Sequence, residues 1–498
     1  MVCSSPRSAS SAPRRSTARW VVLKFGGTSV STLERWQTIE GVLRERQEEG
    51  VRPLVVCSAL SQVSNQLETL LQQAVDGHDF RNRLRALHQT HHELAQAMEI
   101  DAEKLLGDDL KELDRLLTGI SLTREITPRL RAQVMSFGEV LSTRMGAAWL
   151  DAQGLRTSWY DARDLLEADE EPATSATWQE RQYLSATCPW SYDPELDRRL
   201  QAVEAAVVLT QGFIARGPDG DTVLLGRGGS DTSAAYLAAR CGAERLEIWT
   251  DVPGMFTANP ARIQGARMLR HLGYAEAGEL ASRGAKVLHP RCLAPVRESG
   301  IPLHLCCTPH PHLQGTVIAD DSAHNRPGIK GVVARPMMTL EMSVEESWQR
   351  VGLIADIGSA FKGHGVSIDM FASSMTHVTV ALDPTANRLS DPVVEGLLRD
   401  LGEIGDPHVL GPTVAVSVVG TSIGDLIHEL GPFLQHFEHE NVHLVSHSAN
   451  DLSLTVVVDE NASDRLVQRL HERLFGEIAK DDPSFGPTWE ALKAEGRI

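Results

Sequence analysis

"WVVLKFGGTSVS", residues 20–31, decides the fold. Apolar residues of a short buried strand lead into Lys24, and Gly26 and Gly27 then bare the backbone where the chain turns. Residues 33–49 carry a helical pattern, and "RPLVVCSAL" (52–60) is a second apolar run. Strand, turn, helix and strand in that order predict a parallel sheet with crossover helices, an α/β fold. Backbone N–H groups exposed at the two glycines can approach phosphate oxygens, and the helix that follows adds its N-terminal dipole. The stretch is neither GxxxxGK[ST] nor GxGxxG. By itself it leaves a phosphate loop and a tight turn with a capping Thr or Ser equally open.

Further strands are expected at "AAVVLTQGFIA" (205–215), "TVLLG" (222–226) and "RLEIWTDV" (245–252), with residues 64–118 helical and "GGSDTSAAYLAARCG" (228–242) a turn feeding a helix. "DDSAHNRPG" (320–328) has the composition of a linker. Beyond it the chain repeats. At an offset of 76 residues Ile354, Ile357 and Phe361 fall on Leu430, Phe433 and Phe437, and "VTVALD" (378–383) falls on "LTVVVD" (454–459). Each copy has the βαββαβ order of a ferredoxin-like unit of about 70 residues, and the helix spacing predicts one buried stripe. The expected organisation is a basic tail at 1–19, an α/β domain at 20–320, modules at 330–411 and 412–480, and a C-terminal tail at 481–498.

At 498 residues the chain exceeds a single core. Asp+Glu of 66 against Lys+Arg of 48 leaves −18, which argues against nucleic acid or an anionic membrane as the main partner. No apolar run approaches the roughly 20 residues of a membrane helix. Seven cysteines without CxxC spacing point to reduced thiols and a cytoplasmic protein. "LCCTPHPH" places Cys306, Cys307, His310 and His312 together, but adjacent cysteines point to opposite faces of a strand, so no metal site is expected. His88, His91 and His92 are expected on a solvated helical face. The acid-free segment 1–19 has the composition of a transit peptide or a basic tail.

Three polar-glycine clusters could carry chemistry: "KFGGTS" (24–29), "LGRGGSDTSA" (225–234), and "IWTDVPGMF" (248–256) with "GAKVLHP" (284–290). Lys24 can offset charge on a transferring phosphate. Arg227 can grip a carboxylate with two hydrogen bonds, and Asp231 beside it can bind an ammonium, a pair that suits an amino acid zwitterion. A helix N-cap at Ser230 or Asp231 would explain one of these polar residues but not the set. Lysine is scarce, eight against forty arginines, which singles out Lys24 and Lys286.

These clusters, with "SFGEVLS" (136–142) and "TQGFIA" (210–215), stand in the order found in aspartate kinases, and the two repeats resemble that family's paired ACT regulatory modules. The variants "VPGMF", "ANP" and "HSANDLSLTVVVDE" (447–460) are most similar to the kinase half of bifunctional aspartate kinase/diaminopimelate decarboxylase proteins. The resemblance implies the amino acid kinase fold, a mostly parallel sheet sandwiched by helices, and transfer of a phosphoryl group from ATP, with Mg²⁺, to the β-carboxylate of L-aspartate. It implies that Lys24, Asp231 and Lys286 are catalytic. Gly26 and Gly27 would line the phosphates with Thr28 and Ser29. Thr28, Ser29, Ser64, Glu139, Arg227 and Ser230 would face the substrate, Glu139 taking its ammonium and Arg227 its α-carboxylate. Phe213, Thr250, Asp251, Phe256 and Lys286 would surround the nucleotide. In "SIDMFASSM" (367–375) Ser367, Asp369, Ser373 and Ser374 would hold an amino acid effector, lysine first and threonine second. A homodimer or higher homo-oligomer is expected.

Three departures from that pattern stand out. Gln62 in "SQVSN" (61–65) replaces a glycine, Ala261 stands where an arginine is usual with Arg262 one residue later, and Met375 replaces a glutamate. Rival readings are a glutamate or UMP kinase, a non-catalytic amino acid sensor on the same scaffold, and a purely assembling protein. The charged set Lys24, Glu139, Arg227, Asp231 and Lys286 argues against the last two.

Overall fold

A computed structural model describes residues 19–170, 178–285, 287–320, 328–344, 351–387, 389–426, 437–438, 440–479 and 482–495. Eight strands form the first sheet, in the order Thr157–Tyr160, Val207–Gln211, Arg52–Cys57, Trp20–Phe25, Arg245–Thr250, Leu303–Cys307, Thr316–Ile318 and His271–Leu272. All neighbours are parallel except Leu303–Cys307 with Thr316–Ile318. Successive residues of the central strands enter opposite cores. Val22, Leu54 and Ile248 pack on one face, and Leu23, Val55 and Trp249 on the other. Both faces are covered, which is why these strands are apolar throughout rather than alternating.

Two helices carry acidic side chains, Glu139 and Asp231, into the interior of this domain. Pro128–Ala152 starts at Thr127, whose hydroxyl accepts from Leu130 N, with proline in the first turn. It is buried on nearly every side between Ala132 and Leu150, so the carboxyl of Glu139 lies inside the domain. Gly229–Cys241 is likewise buried almost throughout and starts from Gly228 at φ 63°. The stretch 205–215 is not one strand: it breaks at Gly212–Phe213, and residues Ile214–Arg216 turn away to pair with Thr222–Leu224.

The regulatory region departs from two consecutive modules. Strand Gly328–Ser343 serves both: its first part pairs with Thr413–Thr421, and its last part with His377–Leu382 and Asp406–Val409. The first module is complete within 338–409. The second comprises Thr413–Thr421, Val442–His447 and Ser453–Asp459, and takes its fourth strand from residues that precede the first module. The first module is therefore inserted in the second, and a boundary at 411/412 separates chain segments but not folding units. Within the expected C-terminal tail, the described residues 482–495 pack on the first domain. Phe485–Thr488 pairs with Arg267–Leu269 of the first domain, and a helix follows at Trp489–Ala494.

Two further expectations change. His91 is fully buried, with Nδ1 bonded to the Leu87 carbonyl at 2.8 Å; burial pushes its pKa down to about 4, so the ring is neutral. The helix Arg81–Ala97 turns Leu84, Leu87, His91 and Leu94 inward, and a neutral imidazole can join that stripe. Ile354 is 63% exposed, because helix Leu353–Gly363 buries Ile357 and Phe361 instead. Leu430 and Phe433, the counterparts of Ile354 and Ile357, lie outside the described residues, whereas Phe361 and Phe437 are both buried. Among the described residues no helix is long and apolar enough to cross a membrane, and no group of three or more His, Cys, Asp or Glu could hold a metal ion.

Two glycines within helices test the packing in opposite directions. A Cβ on Gly146 would lie 1.9 Å from the Trp36 ring, which is itself pinned by Nε1 donating to Val30 O. A Cβ on Gly41 would meet nothing within 4 Å. Denaturant melts of Gly146→Ala should show a loss of about 2–3 kcal/mol, and those of Gly41→Ala a gain of about 0.5–1 kcal/mol.

Candidate active site

Strands Trp20–Phe25 and Arg245–Thr250 lie side by side, and their carboxyl ends open into a cleft of about 560 Å³. In open α/β sheets ligands bind at such ends. Lys24, the penultimate residue of its strand, enters the cleft. The chain then turns tightly: Gly26 N donates to Trp249 O at 3.3 Å and Ser29 N to Gly26 O at 2.9 Å. A Cβ on Gly27 would lie 2.9 Å from Ala59 O, so only glycine fits there. The Ser31 hydroxyl donates to Gly27 O at 2.6 Å and accepts from Ser61 N at 2.8 Å, which ties this turn to the loop after strand Arg52–Cys57.

The facing wall is the turn Gly226–Asp231 and the first residues of helix Gly229–Cys241. Lys24 Nζ stands 2.7 Å from Asp231 Oδ1, both side chains 12% exposed. The approach is off the hydrogen-bonding direction, so the contact is ionic rather than a hydrogen bond. Arg227 is exposed on the rim and Ser230 half-buried in the wall. Gly228 holds a left-handed conformation, and any side chain on it would run into His289. The side chain of Ser230 fills the space beside Gly212.

Glu139 closes the inner end. The residue is 3% exposed, its carboxyl accepts from Ala59 N–H, and Oε2 has no partner. Burial pushes its pKa up from 4.5 to about 8. A buried carboxyl in a cleft with one unpartnered oxygen can accept a cationic donor, and such a donor would favour its ionised form.

The other predicted residues divide. Gly26, Gly27, Thr28, Ser64, Phe213, Thr250 and Asp251 line the same cleft. Ser29 does not: it is 1% exposed and its hydroxyl bonds Thr308 Oγ1 at 2.7 Å, because the 3-10 turn points it into the sheet. Phe256 is also buried away from the cleft, edge-on to Trp489. Lys286 lies outside the described residues. Far from the cleft, Asp369 pairs with Arg335, which also reaches Asp383 at 2.8 Å. Ser367 N donates to Asn387 Oδ1, Ser373 is exposed at the end of its strand, and the Ser374 hydroxyl caps the turn to His377. Sequence reading missed the backbone of Ser58–Leu60 as a wall and Thr308 as the support of Ser29. Thr308 was present in "LCCTPHPH", a stretch weighed only for its cysteines and histidines.

Two side chains lining the cleft sit in the left-handed region, Gln62 at φ 66° and Phe213 at φ 69°. Gln62 occupies a backbone shape that suits glycine, and its amide oxygen accepts from Asn65 Nδ2 at 2.8 Å. Phe213 is held by its own N–H donating to Ser233 Oγ at 2.8 Å, with Gly229 directly beneath the ring. Such strain persists only where surroundings over-determine it, and it concentrates at functional sites.

Known proteins resemble this chain in sequence and fold. The model of the Amino acid kinase family matches residues 19–307. Aspartokinase 1, chloroplastic, of Arabidopsis thaliana is 29% identical over 468 residues, covering 91% of this chain and 80% of that protein. Lysine-sensitive aspartokinase 3 of Escherichia coli is 28% identical over 468 residues, covering 91% and 99%. The crystal structure of E. coli aspartokinase III in complex with aspartate and ADP (R-state) superposes with a TM-score of 0.78 at 26% identity, covering 91% and 99%. The structure of the same enzyme with lysine and aspartate (T-state) gives 0.72. The family match spans the whole eight-stranded sheet apart from its Thr316–Ile318 strand, both glycine turns and Glu139, and the chain belongs to the amino acid kinase family.

Proposed function

We propose that this chain is an aspartate kinase regulated by an amino acid. It transfers the γ-phosphoryl group of ATP to the β-carboxylate of L-aspartate, giving 4-phospho-L-aspartate and ADP. The observation that carries this reading is that one cleft provides separate stations for an ammonium, a carboxylate and a phosphoryl group. Glu139 at the inner end takes the ammonium, Arg227 on the rim takes the α-carboxylate, and Lys24 between them faces the glycine turn.

The reacting β-carboxylate is ionised at neutral pH and needs no general base. Catalysis is then alignment and charge neutralisation. Lys24 supplies positive charge at the transferring group, and Asp231 holds the ammonium of Lys24 in place until the nucleotide arrives. Gly27 and Thr28 offer backbone N–H groups to the phosphates, and Lys286 adds a second cation in this reading. Thr250 and Asp251 bound the nucleotide side. Asp231 and Asp251 are the carboxylates lining the cleft besides Glu139. That sparse set fits Mg²⁺, which binds through one or two carboxylates with substrate phosphates and its own waters. The ion neutralises phosphate charge when bound.

For the regulatory region we read lysine as the effector, held through Asp369 in the first module, and a homodimer formed through the modules. Val351, Ile354, Met375, Val409, Val442 and Val445 are all exposed there, which supports self-association. The motif variants favour descent from the kinase half of a bifunctional protein, and the cysteine usage a cytoplasmic setting.

Formation of aspartyl hydroxamate with ATP and aspartate tests the activity, and no turnover by folded protein would sink it. Lys24→Ala should lose on the order of 10³-fold in kcat while still folding, with a lowered melt because Asp231 loses its buried partner. The pH dependence follows from Glu139. Below about pH 8 the carboxyl of the free protein is protonated, and aspartate must bind the ionised form. The KM for aspartate should therefore fall about tenfold per pH unit from 6 to 7.5 and level off above 8; in Glu139→Gln the slope should vanish and KM rise. The same shift has a stability sign. Between 4.5 and about 8 the folded carboxyl keeps a proton that the unfolded one loses, so wild type should lose stability against Glu139→Gln as pH rises through that window. Met375 is 61% exposed beside the residues expected to hold the effector; Met375→Glu should lower the lysine concentration for half-inhibition.

A further inference from the structure

Phe256 is expected at the nucleotide, yet its ring is turned from the cleft and stands edge-on to Trp489, with centroids 5.5 Å apart and planes at 83°. The chain around it explains why. Past Asp251 the turn is anchored at its far end: Met255 N donates to Thr316 Oγ1 at 2.9 Å, Leu269 N donates to Met255 O at 2.8 Å, and Thr257 N donates to Arg267 O at 2.9 Å. Residues 255–257 thus run along strand Arg267–Leu269, and the other edge of that strand is taken by Phe485–Thr488. The near end is held by Thr308 N donating to Thr250 O at 2.8 Å. Between the two anchors Asp251 is held by the Thr250 hydroxyl, which donates to its Oδ1 at 3.0 Å, and by a weak thiol contact from Cys307 Sγ to its carbonyl.

The C-terminal segment therefore forms the outer layer behind the nucleotide's wall. Trp489 N donates to Ala266 O at 2.9 Å and Glu490 N to Gln264 O at 3.2 Å, so the loop that starts at Phe256 returns directly under the indole. Arg267 adds bonds to Gly486 O and Ala479 O. Thr257 Oγ1 pairs with His471 Nε2 at 2.8 Å, and burial pushes the pKa of His471 down to about 4, so this support does not titrate near neutrality.

We infer that Trp489 is a positioning residue for the nucleotide: from the C-terminal segment, outside the cleft, it fixes Phe256 and through it the Thr250–Asp251 wall. The inference rests on the reading of that wall as the nucleotide side of an aspartate kinase. Removing the indole leaves the Phe256 ring unsupported on one face while the aspartate stations, Glu139 and Arg227, keep all their contacts.

The test uses the full chain and two variants, with ADP binding by calorimetry beside steady-state kinetics. Trp489→Ala should weaken ADP binding and raise the KM for ATP about tenfold, with the KM for aspartate within about twofold. Trp489→Phe, which retains an aromatic edge, should restore most of the ADP affinity. Wild-type ADP affinity in Trp489→Ala overturns the inference alone. So does a parallel rise of both KM values with a collapsed melt, or a Trp489→Phe variant as impaired as Trp489→Ala. Failure of the wild-type chain to bind ADP overturns the nucleotide reading together with it.

Discussion

Lys24 and Asp231 meet at 2.7 Å between the end of the central strand and the first turn of a buried helix, both almost removed from water. Desolvating either charge alone would cost several kcal/mol, and breaking such a pair from one side leaves an uncompensated ion. Much of the local backbone serves this meeting. Gly27 lets its turn close against Ala59 O, and Gly228 lets the facing turn pass beneath His289. Without those close approaches the two loops could not converge on one cleft. The pair keeps a cation at the mouth of the glycine turn, where the proposed function would bring the phosphoryl group.

A second constraint runs through strand Gly328–Ser343. One strand completes the sheets of both regulatory modules, so neither module is independent of the other. The same strand touches the catalytic domain, since Val332 N donates to Thr257 O at 2.7 Å and Gly284 lies against Ala334 O. Arg335 on that strand pairs with Asp369, the residue expected to hold the effector. Regulatory and catalytic elements thus meet through packed backbone, the kind of contiguous connection through which two-state coupling can act.

Much of the fold was legible before any coordinates. Apolar runs buried on both faces, helical periods between them and glycine turns at strand ends fix an α/β sheet, because these signals depend on neighbours within a few residues. The repeat in the last third was visible for the same reason: each copy repeats the same local order of strand and helix periods. Gln62 was recognisable as a misfit in a glycine position, and its φ of 66° is what that misfit means physically. The stretch 205–215 was harder. Its residues read as one strand, and only the packing of Phe213 on Gly229 and its bond to Ser233 break it.

Local chemistry was enough to single out Lys24, Arg227 and Asp231, each a charged residue in an apolar or glycine-rich setting, whereas Glu139 came from the family resemblance of "SFGEVLS" alone. What depended on the assembled chain was direction and partnership. Ser29 and Phe256 have the right chemistry for the cleft but face away from it, because Thr308 and Trp489, 279 and 233 residues further along, take their side chains. The insertion of one module in the other, and the return of the C-terminus to the first domain, rest on strand pairings between segments far apart in sequence. Periodicity reports which face of an element is buried. It carries no record of which distant edge or ring will cover that face, and that choice belongs to long-range packing alone.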